Sequence, residues 1–349
     1  MELVLILVIL VICISLIFDF TNGFHDAANA IASCVSTGAL KPRAALIMAG
    51  VMNLIGAMLG TGVASTIGKG IIDVSGFTES VDENMRIHGL IIILSALIGA
   101  ISWNIITWWF GLPSSSSHAL IGGLAGAGIA SSTTVLWFGI VTHVVLPMII
   151  SPLVGFFIAF GVMKFVLWLL TSAPYHSTMN RMRFMQRFSA GAMALGHGLQ
   201  DAQKTMGIIV MALMAAGYHE GANADGDLII PFWVKVAAAL AISLGTYFGG
   251  GRIMRTLGTK IIDLTPAHGF IAESVSATVL YLAAYVFKAP ISTTQSVSAA
   301  IMGVGATRRL SAVRWGVAGN IATAWVLTLP AAGVMAAGAY LLLHLVLPF

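Results

Sequence analysis

From Ile87 to Met163 the chain carries no Asp, Glu, Lys or Arg, and none follows Arg314. About 20 consecutive apolar residues suffice to cross a bilayer, so each of these runs is long enough to cross more than once. In hydrocarbon every backbone N–H and C=O must be satisfied internally, which leaves helices or closed barrels. The short alternating segments of a barrel are missing. Charged residues make up 9% of the 349, against about 25% in a soluble domain. The expectation is an all-α polytopic membrane protein, with about eight to ten segments fitting the apolar runs.

The opening MELVLILVILVICISLIF lacks the basic start and small-residue cleavage site of a signal peptide, so it is expected to be a retained first helix. Cys13 and Cys34 lie in apolar helix and read as packing residues. The formal net charge of +4 is assigned to cytoplasmic loops, and no nucleic-acid partner is expected.

The chain is written twice. GFHDAANAIA (23–32) matches GLQDAQKTMG (198–207), which sets Asp26 against Asp201. FGLPSSSSHALIGGLAGAG (110–128) matches FKAPISTTQSVSAAIMGVG (287–305) at nearly the same offset. Trp137, Pro152 and Gly155 find partners in Trp315, Pro330 and Gly333, and IIDV (71–74) recurs as IIDL (261–264). Matched blocks in one order divide the chain into a first repeat (1–163), a linker (164–188) and a second repeat (189–349).

Basic residues then orient the halves, because Lys and Arg concentrate in cytoplasmic loops while acids carry little weight. Loop 41–43 has two basic residues, and its partner 217–231 has none but holds Glu220, Asp225 and Asp227. Loop 65–86 has Lys69 and Arg86 among Asp73, Glu79, Asp82 and Glu83, and its partner 251–263 has Arg252, Arg255 and Lys260. Loop 131–134 is uncharged, and its partner holds Arg308, Arg309 and Arg314. The halves should therefore insert in opposite orientations, with the linker inside and both termini outside. Inverted-topology repeats are the architecture of secondary transporters, whose site lies near the bilayer midplane. The plainer alternative is a duplicated structural bundle with no transport role. Each half is expected to have a broken first helix and a re-entrant helical hairpin.

The hairpins follow from LPSSSSH (112–118) and APISTTQ (289–295). Pro113 and Pro290 cannot continue a preceding helix, and the hydroxyls favour N-caps. A helix restarting there points free N–H groups and its positive dipole end at mid-depth, which makes an anion site. Ser115, Ser116 and Ser117 correspond to Ser292, Thr293 and Thr294, with Gln295 following. Two such turns from opposed halves would suit a tetrahedral oxyanion; as a lone cluster, either would read as simple capping. Gly122, Gly123, Gly126 and Gly128 read as close helix packing.

Ionisable residues inside a span are costly and point to function. A carboxylate beside an anion makes sense only with a cation or proton between them. Asp26 and Asn29, at i and i+3 on one helix face, offer oxygen ligands to a hard cation such as Na⁺. The same spacing in the second half gives Asp201 and Lys204. That ammonium could replace a bound cation or neutralise substrate, so at most one sodium-type site is expected and proton coupling becomes attractive. Its plainer reading is an inert Asp–Lys ion pair. Glu273 is a third intramembrane carboxylate with an apolar counterpart, suited to ion or proton coupling. His25, His118 and His197 flank the motifs and could titrate usefully. Asp19 gives a weak signal for the mouth of the site.

These motifs resemble the signatures of the inorganic phosphate transporter (PiT) family, bacterial low-affinity type. They read GFHDAAN, GLQDAQK, PSSSSH and PISTTQ here and extend over both halves. The resemblance implies symport of inorganic phosphate, free or metal-complexed, with H⁺ or Na⁺ and without a cofactor. It places Asp26, Asn29, Ser115 to Ser117, Asp201 and Ser292 to Thr294 at the site. His25, Gln200 and Lys204 stand where sodium-coupled members often carry Asn, which puts a full sodium set in doubt. The expected setting is a bacterial-type inner (plasma) membrane, with a homo-oligomer left open. A sulfate permease on the same fold is the nearest rival. A passive anion channel and a membrane-embedded enzyme using Ser117 and His118 are more remote.

Overall fold

The computed structural model describes residues 2–72, 82–219, 228–249 and 251–347, so Asp73, Glu79, Glu220, Asp225 and Asp227 of the orientation argument lie outside the described residues. The first half contributes helices α1 (Glu2–Ser36), α2 (Pro42–Met58), α3 (Gly62–Gly70), α4 (Glu83–Phe110), α5 (Ser116–Ala130) and α6 (Trp137–Leu169). The second contributes α7 (Tyr175–Ala215), α8 (Phe232–Phe248), α9 (Gly251–Lys260), α10 (Pro266–Val286), α11 (Thr293–Ala306) and α12 (Trp315–Val346). Among the described residues, five helices (α1, α4, α6, α10 and α12) are long and apolar enough to cross a membrane, or six if the bent pair α8–α9 is one span. The other helices are short, apart from α7, which is polar at its start with Arg181, Arg183 and Arg187.

The distribution of side chains suits lipid outside and polar groups within. Phe138, Phe157, Val334 and Leu345 are exposed, while Asp19, Asp26, Asp201, Lys204 and Glu273 are buried. A carboxylate that faced hydrocarbon would have neither water nor protein partners.

Contacts across the halves come in matched pairs. Helix α1 packs on α8 as α2 packs on α7, and α5 packs on α12 as α11 packs on α6. A Cβ added to Gly23 would lie 2.3 Å from the Ile242 carbonyl oxygen, and one on its counterpart Gly198 2.2 Å from that of Asn53. At Gly245 and Gly56 the oxygens of Phe20 and Leu195 stand 2.1 Å away in each case. Small residues are what allow such backbone approach in a membrane bundle. The short crossings repeat too: Leu136 N–H donates to Ile71 C=O at 3.0 Å, and Arg314 N–H to Ile261 C=O at 3.0 Å.

One expectation is corrected. The first helix of each half is not broken: α1 runs from Glu2 to Ser36 and α7 from Tyr175 to Ala215 without interruption. Neither helix contains Pro, so no residue in them lacks an N–H or clashes with the preceding turn, and nothing forces a break. The breaks fall instead between α4 and α5 and between α10 and α11, at the two proline–hydroxyl motifs. Helix α4 ends at Gly111, whose φ of 64° is left-handed. Its counterpart Lys288 adopts φ 48°, a conformation costing a non-glycine residue about 1–2 kcal/mol.

The close approaches set a packing prediction. Gly198→Ala should destabilise the protein by about 1–3 kcal/mol, since a backbone oxygen blocks the new methyl. Gly161→Ala, with open space around it, should be neutral or slightly stabilising. Thermal unfolding of both variants in detergent, followed by loss of the monodisperse gel-filtration peak, checks the pair.

Candidate functional site

Pro113 and Pro290 end their helices' approach, and the hydroxyls just after them start new ones. Ser115 caps α5 by accepting from His118 N–H at 3.3 Å, and Ser292 caps α11 by accepting from Gln295 N–H at 3.2 Å. The first residues of the two restarted helices then meet α1 and α7 at mid-bundle. Both helix N-termini are buried, with Ser116, Ser117, Thr293 and Thr294 all enclosed.

The contacts there exchange partners between halves. Asn29 Nδ2 donates to Thr294 Oγ1 at 2.8 Å, and the matched Lys204 Nζ donates to Ser117 Oγ. Within each half, Ser116 Oγ donates to Asp26 Oδ2 at 3.3 Å, and Thr293 Oγ1 to Asp201 Oδ2 at 3.5 Å. Thr294 Oγ1 also donates to Asp26 Oδ1 at 3.1 Å. Asn29 reaches Thr293 at 3.4 Å. Thus the repeated motifs, far apart in the chain, form one cluster.

Two histidines complete it. His25 Nδ1 lies 2.7 Å from Asp26 Oδ1, and its Nε2 lies 3.2 Å from Thr107 Oγ1 and 3.3 Å from Ser114 Oγ. His197 Nε2 lies 3.2 Å from Asp201 Oδ2, while its Nδ1 faces Asn53 Oδ1 at 3.1 Å. Ligand atoms of Asp26, His197 and Asp201 lie within 4.8 Å of one another. Lys204 pairs with Asp201 one turn away, and its contact with Ser117 also ties α7 to the opposite hairpin.

Not every candidate comes to the cluster. Glu273 on α10 accepts from Ser33 Oγ and from Gln186 Nε2 at 3.1 Å through Oε1, and from Ser189 Oγ at 2.6 Å through Oε2. Ser33 is seven residues past Asp26 on α1, roughly 10 Å along the axis. Gln295 is buried beside the site, yet neither amide atom has a hydrogen-bond partner among the described residues, and the same holds for Asn29 Oδ1 and His118 Nδ1. The sequence reading missed Thr107, Ser114, Asn53, Gln186 and Ser189. Ser114 stood in plain view within SSSS, whereas the others lie on different helices and carry no local signal.

An all-helical membrane bundle with two buried helix N-termini facing paired carboxylates has the architecture of a membrane transporter. The chain matches the model of the phosphate transporter family over residues 22–336 and belongs to that family. A relative from Rhizobium meliloti (strain 1021), named "Probable low-affinity inorganic phosphate transporter", is 45% identical over 338 residues, covering 96% of each chain. One of the same name from Bacillus subtilis (strain 168) is 43% identical, over 99% of this chain and all of its own. A solved structure titled "The sodium-dependent phosphate transporter" superposes with a TM-score of 0.84 at 26% identity, over 98% of this chain and 100% of that one. The family's function is transport and not catalysis, which removes the enzyme reading.

The Asp201–Lys204 pair generates a prediction. Lys204→Met strands a buried carboxylate and should destabilise the protein by about 3–5 kcal/mol. Lys204→Asn, which copies the first half, should recover a good part of that loss by donating to Ser117 as Asn29 does to Thr294. Thermal unfolding of the two purified variants beside wild type measures the difference.

Proposed function

We propose that this chain imports inorganic phosphate together with a cation by alternating access across a bacterial-type plasma membrane. In this reading residues 1–163 and 189–349 are inverted repeats joined by an inside linker, 164–188, with both termini outside. Two re-entrant hairpins would move against the remaining helices. The matched contacts support the inversion. Thr37, just past the end of α1, meets Gln186 early in α7, while Asp26 and Asp201 meet midway, so the two equivalent helices run antiparallel.

The observation that carries the reading is the exchange of Asn29 with Thr294 and Lys204 with Ser117. It brings two helix N-termini, each a natural anion site, onto the same pair of carboxylates. Phosphate would take the donors of Ser116, Ser117, Thr293 and Thr294, with the capped turns of Ser115 and Ser292 holding them in place. Gln295 and His118 would supply further polar atoms that otherwise lack partners, and Lys204 would offset part of the anionic charge.

Asp26, Asn29 and Asp201 would hold the coupling cation. The unpartnered Asn29 Oδ1 and the close carboxylates fit Na⁺ as a hard cation with oxygen ligands, as does the sodium dependence named for the structural relative. Coupling is needed energetically: an inside-negative potential of 100 mV opposes anion uptake by about 2.3 kcal/mol per charge. Glu273 would be a separate coupling carboxylate nearer the linker side, and the route by which H⁺ could substitute for Na⁺. Sulfate is the rival substrate because its tetrahedral geometry is the same.

Uptake of radiolabelled phosphate into proteoliposomes, under a Na⁺ gradient or a pH gradient alone, tests this. Na⁺-driven uptake that Asp26→Asn abolishes is expected. Uptake driven only by the pH gradient and lost in Glu273→Gln would transfer coupling to H⁺. Sulfate uptake without phosphate uptake would make the chain a sulfate permease.

A further inference from the structure

Along α1 the buried polar residues do not stop at the central cluster. Ser15, Asp19, Asn22, Asp26, Asn29 and Ser33 are all buried and follow one another at alternating spacings of four and three, which keeps them on one helix face. The stripe spans roughly 27 Å, close to the bilayer's hydrocarbon thickness of about 30 Å. Its lower members are all engaged: Asp26, Asn29 and Ser33 each touch a group on another helix. The upper three are not. Ser15 Oγ, both oxygens of Asp19 and both amide atoms of Asn22 lack hydrogen-bond partners among the described residues, and so does the hydroxyl of Thr205 on α7.

These orphans lie together. Ser15 and Asn22 flank Asp19 one turn to either side, and the Thr205 hydroxyl faces the Asp19 carboxylate, close enough for the charges of Asp201 and Lys204 to act on it. All four side chains are fully enclosed. A buried carboxylate next to an unpaired amide and two hydroxyls is costly unless a ligand joins them. A proton on Asp19 would satisfy one lone pair of Asn22 and leave the hydroxyls as they are. A small cation would engage the Asp19 carboxylate, the Asn22 carboxamide oxygen and the Thr205 hydroxyl at once, and one carboxylate matches one positive charge; Ser15, seven residues and roughly 10 Å from Asn22 along the axis, borders the site without sharing that ion. These are hard oxygen donors, the set that suits an alkali cation and not a soft transition metal.

We propose that Asp19, Asn22 and Thr205 form a Na⁺ site distinct from the Asp26–Asp201 cluster. The positions in the second half that match Ser15, Asp19 and Asn22 are Ala190, Ala194 and His197, so the site has no symmetry-related twin. It breaks the internal symmetry and adds an ion that the doubled motifs do not count. Asp19 is seven residues before Asp26, roughly 10 Å along the helix, and Thr205 adjoins Lys204, so this site connects to the centre through both helices. A role as the second coupling ion rests on the proposed symport: with monovalent phosphate, one cation neutralises the substrate and a second makes inward movement electrically favourable. The binding itself does not rest on that reading.

Equilibrium binding of radiolabelled Na⁺ to purified full-length protein, in phosphate-free buffer balanced with choline, tests the site. Asp19→Asn is expected to lower the saturating stoichiometry by one ion per chain while leaving the central ion bound. In an Asp26→Asn background, saturable binding should persist, and Thr205→Val added there should weaken it by about 10-fold or more. Thr205→Val is nearly isosteric, so it guards against a folding defect in the Asp19 variant, and gel filtration reports the fold of each. Unchanged stoichiometry and affinity in Asp19→Asn would overturn the proposal, as would loss of all saturable Na⁺ binding in correctly folded Asp26→Asn. Phosphate uptake is measured separately, so a protein that binds this ion yet carries no phosphate would sink the transport reading and leave the site standing.

Discussion

The arrangement depends on keeping two carboxylates, Asp26 and Asp201, charged or paired in the middle of a lipid-embedded bundle. Both side chains are buried. Each is held by hydroxyls at the start of a restarted helix and by a histidine on its own helix. The hairpin turns, the close glycine contacts and the continuous helices α1 and α7 all serve that geometry. A helix N-terminus can reach the centre only if its hairpin breaks there, and α1 and α7 can meet only if their other neighbours pack closely.

Symmetry explains the framework, and its departures carry the chemistry. Asn29 and Lys204 occupy matched places and reach matched hydroxyls, yet one is neutral and the other an ammonium. Glu273 and Asp19 have no acidic counterpart in the other half. Duplication produces a balanced bundle, and these residues are where the two halves differ in charge.

The sequence also left specific gaps. The hairpins were legible because proline and hydroxyl clusters act within a few residues, and helix restarts are local events. The partners of Glu273 were not legible, because Ser33, Gln186 and Ser189 come from two other helices and each is ordinary in its own segment. The stripe through Asp19 was written in the four-and-three spacing of α1. It carried little weight while an isolated acidic residue in an apolar helix had no visible neighbours. The supposed break in the first helix failed because nothing in either segment forces one: α1 and α7 contain no proline and run on as continuous helices.

By itself, then, the sequence determined a helical membrane protein, its duplication, the positions where helices break and the residue types gathered at the site, because hydropathy, proline and repeat spacing act locally. The tertiary structure decided which half supplies which partner. It set Asn29 against Thr294, Lys204 against Ser117, Glu273 away from the centre and Asp19 beside Thr205. Those choices depend on how helices distant in the chain pack across their glycine contacts, and no local pattern encodes a distance between helices.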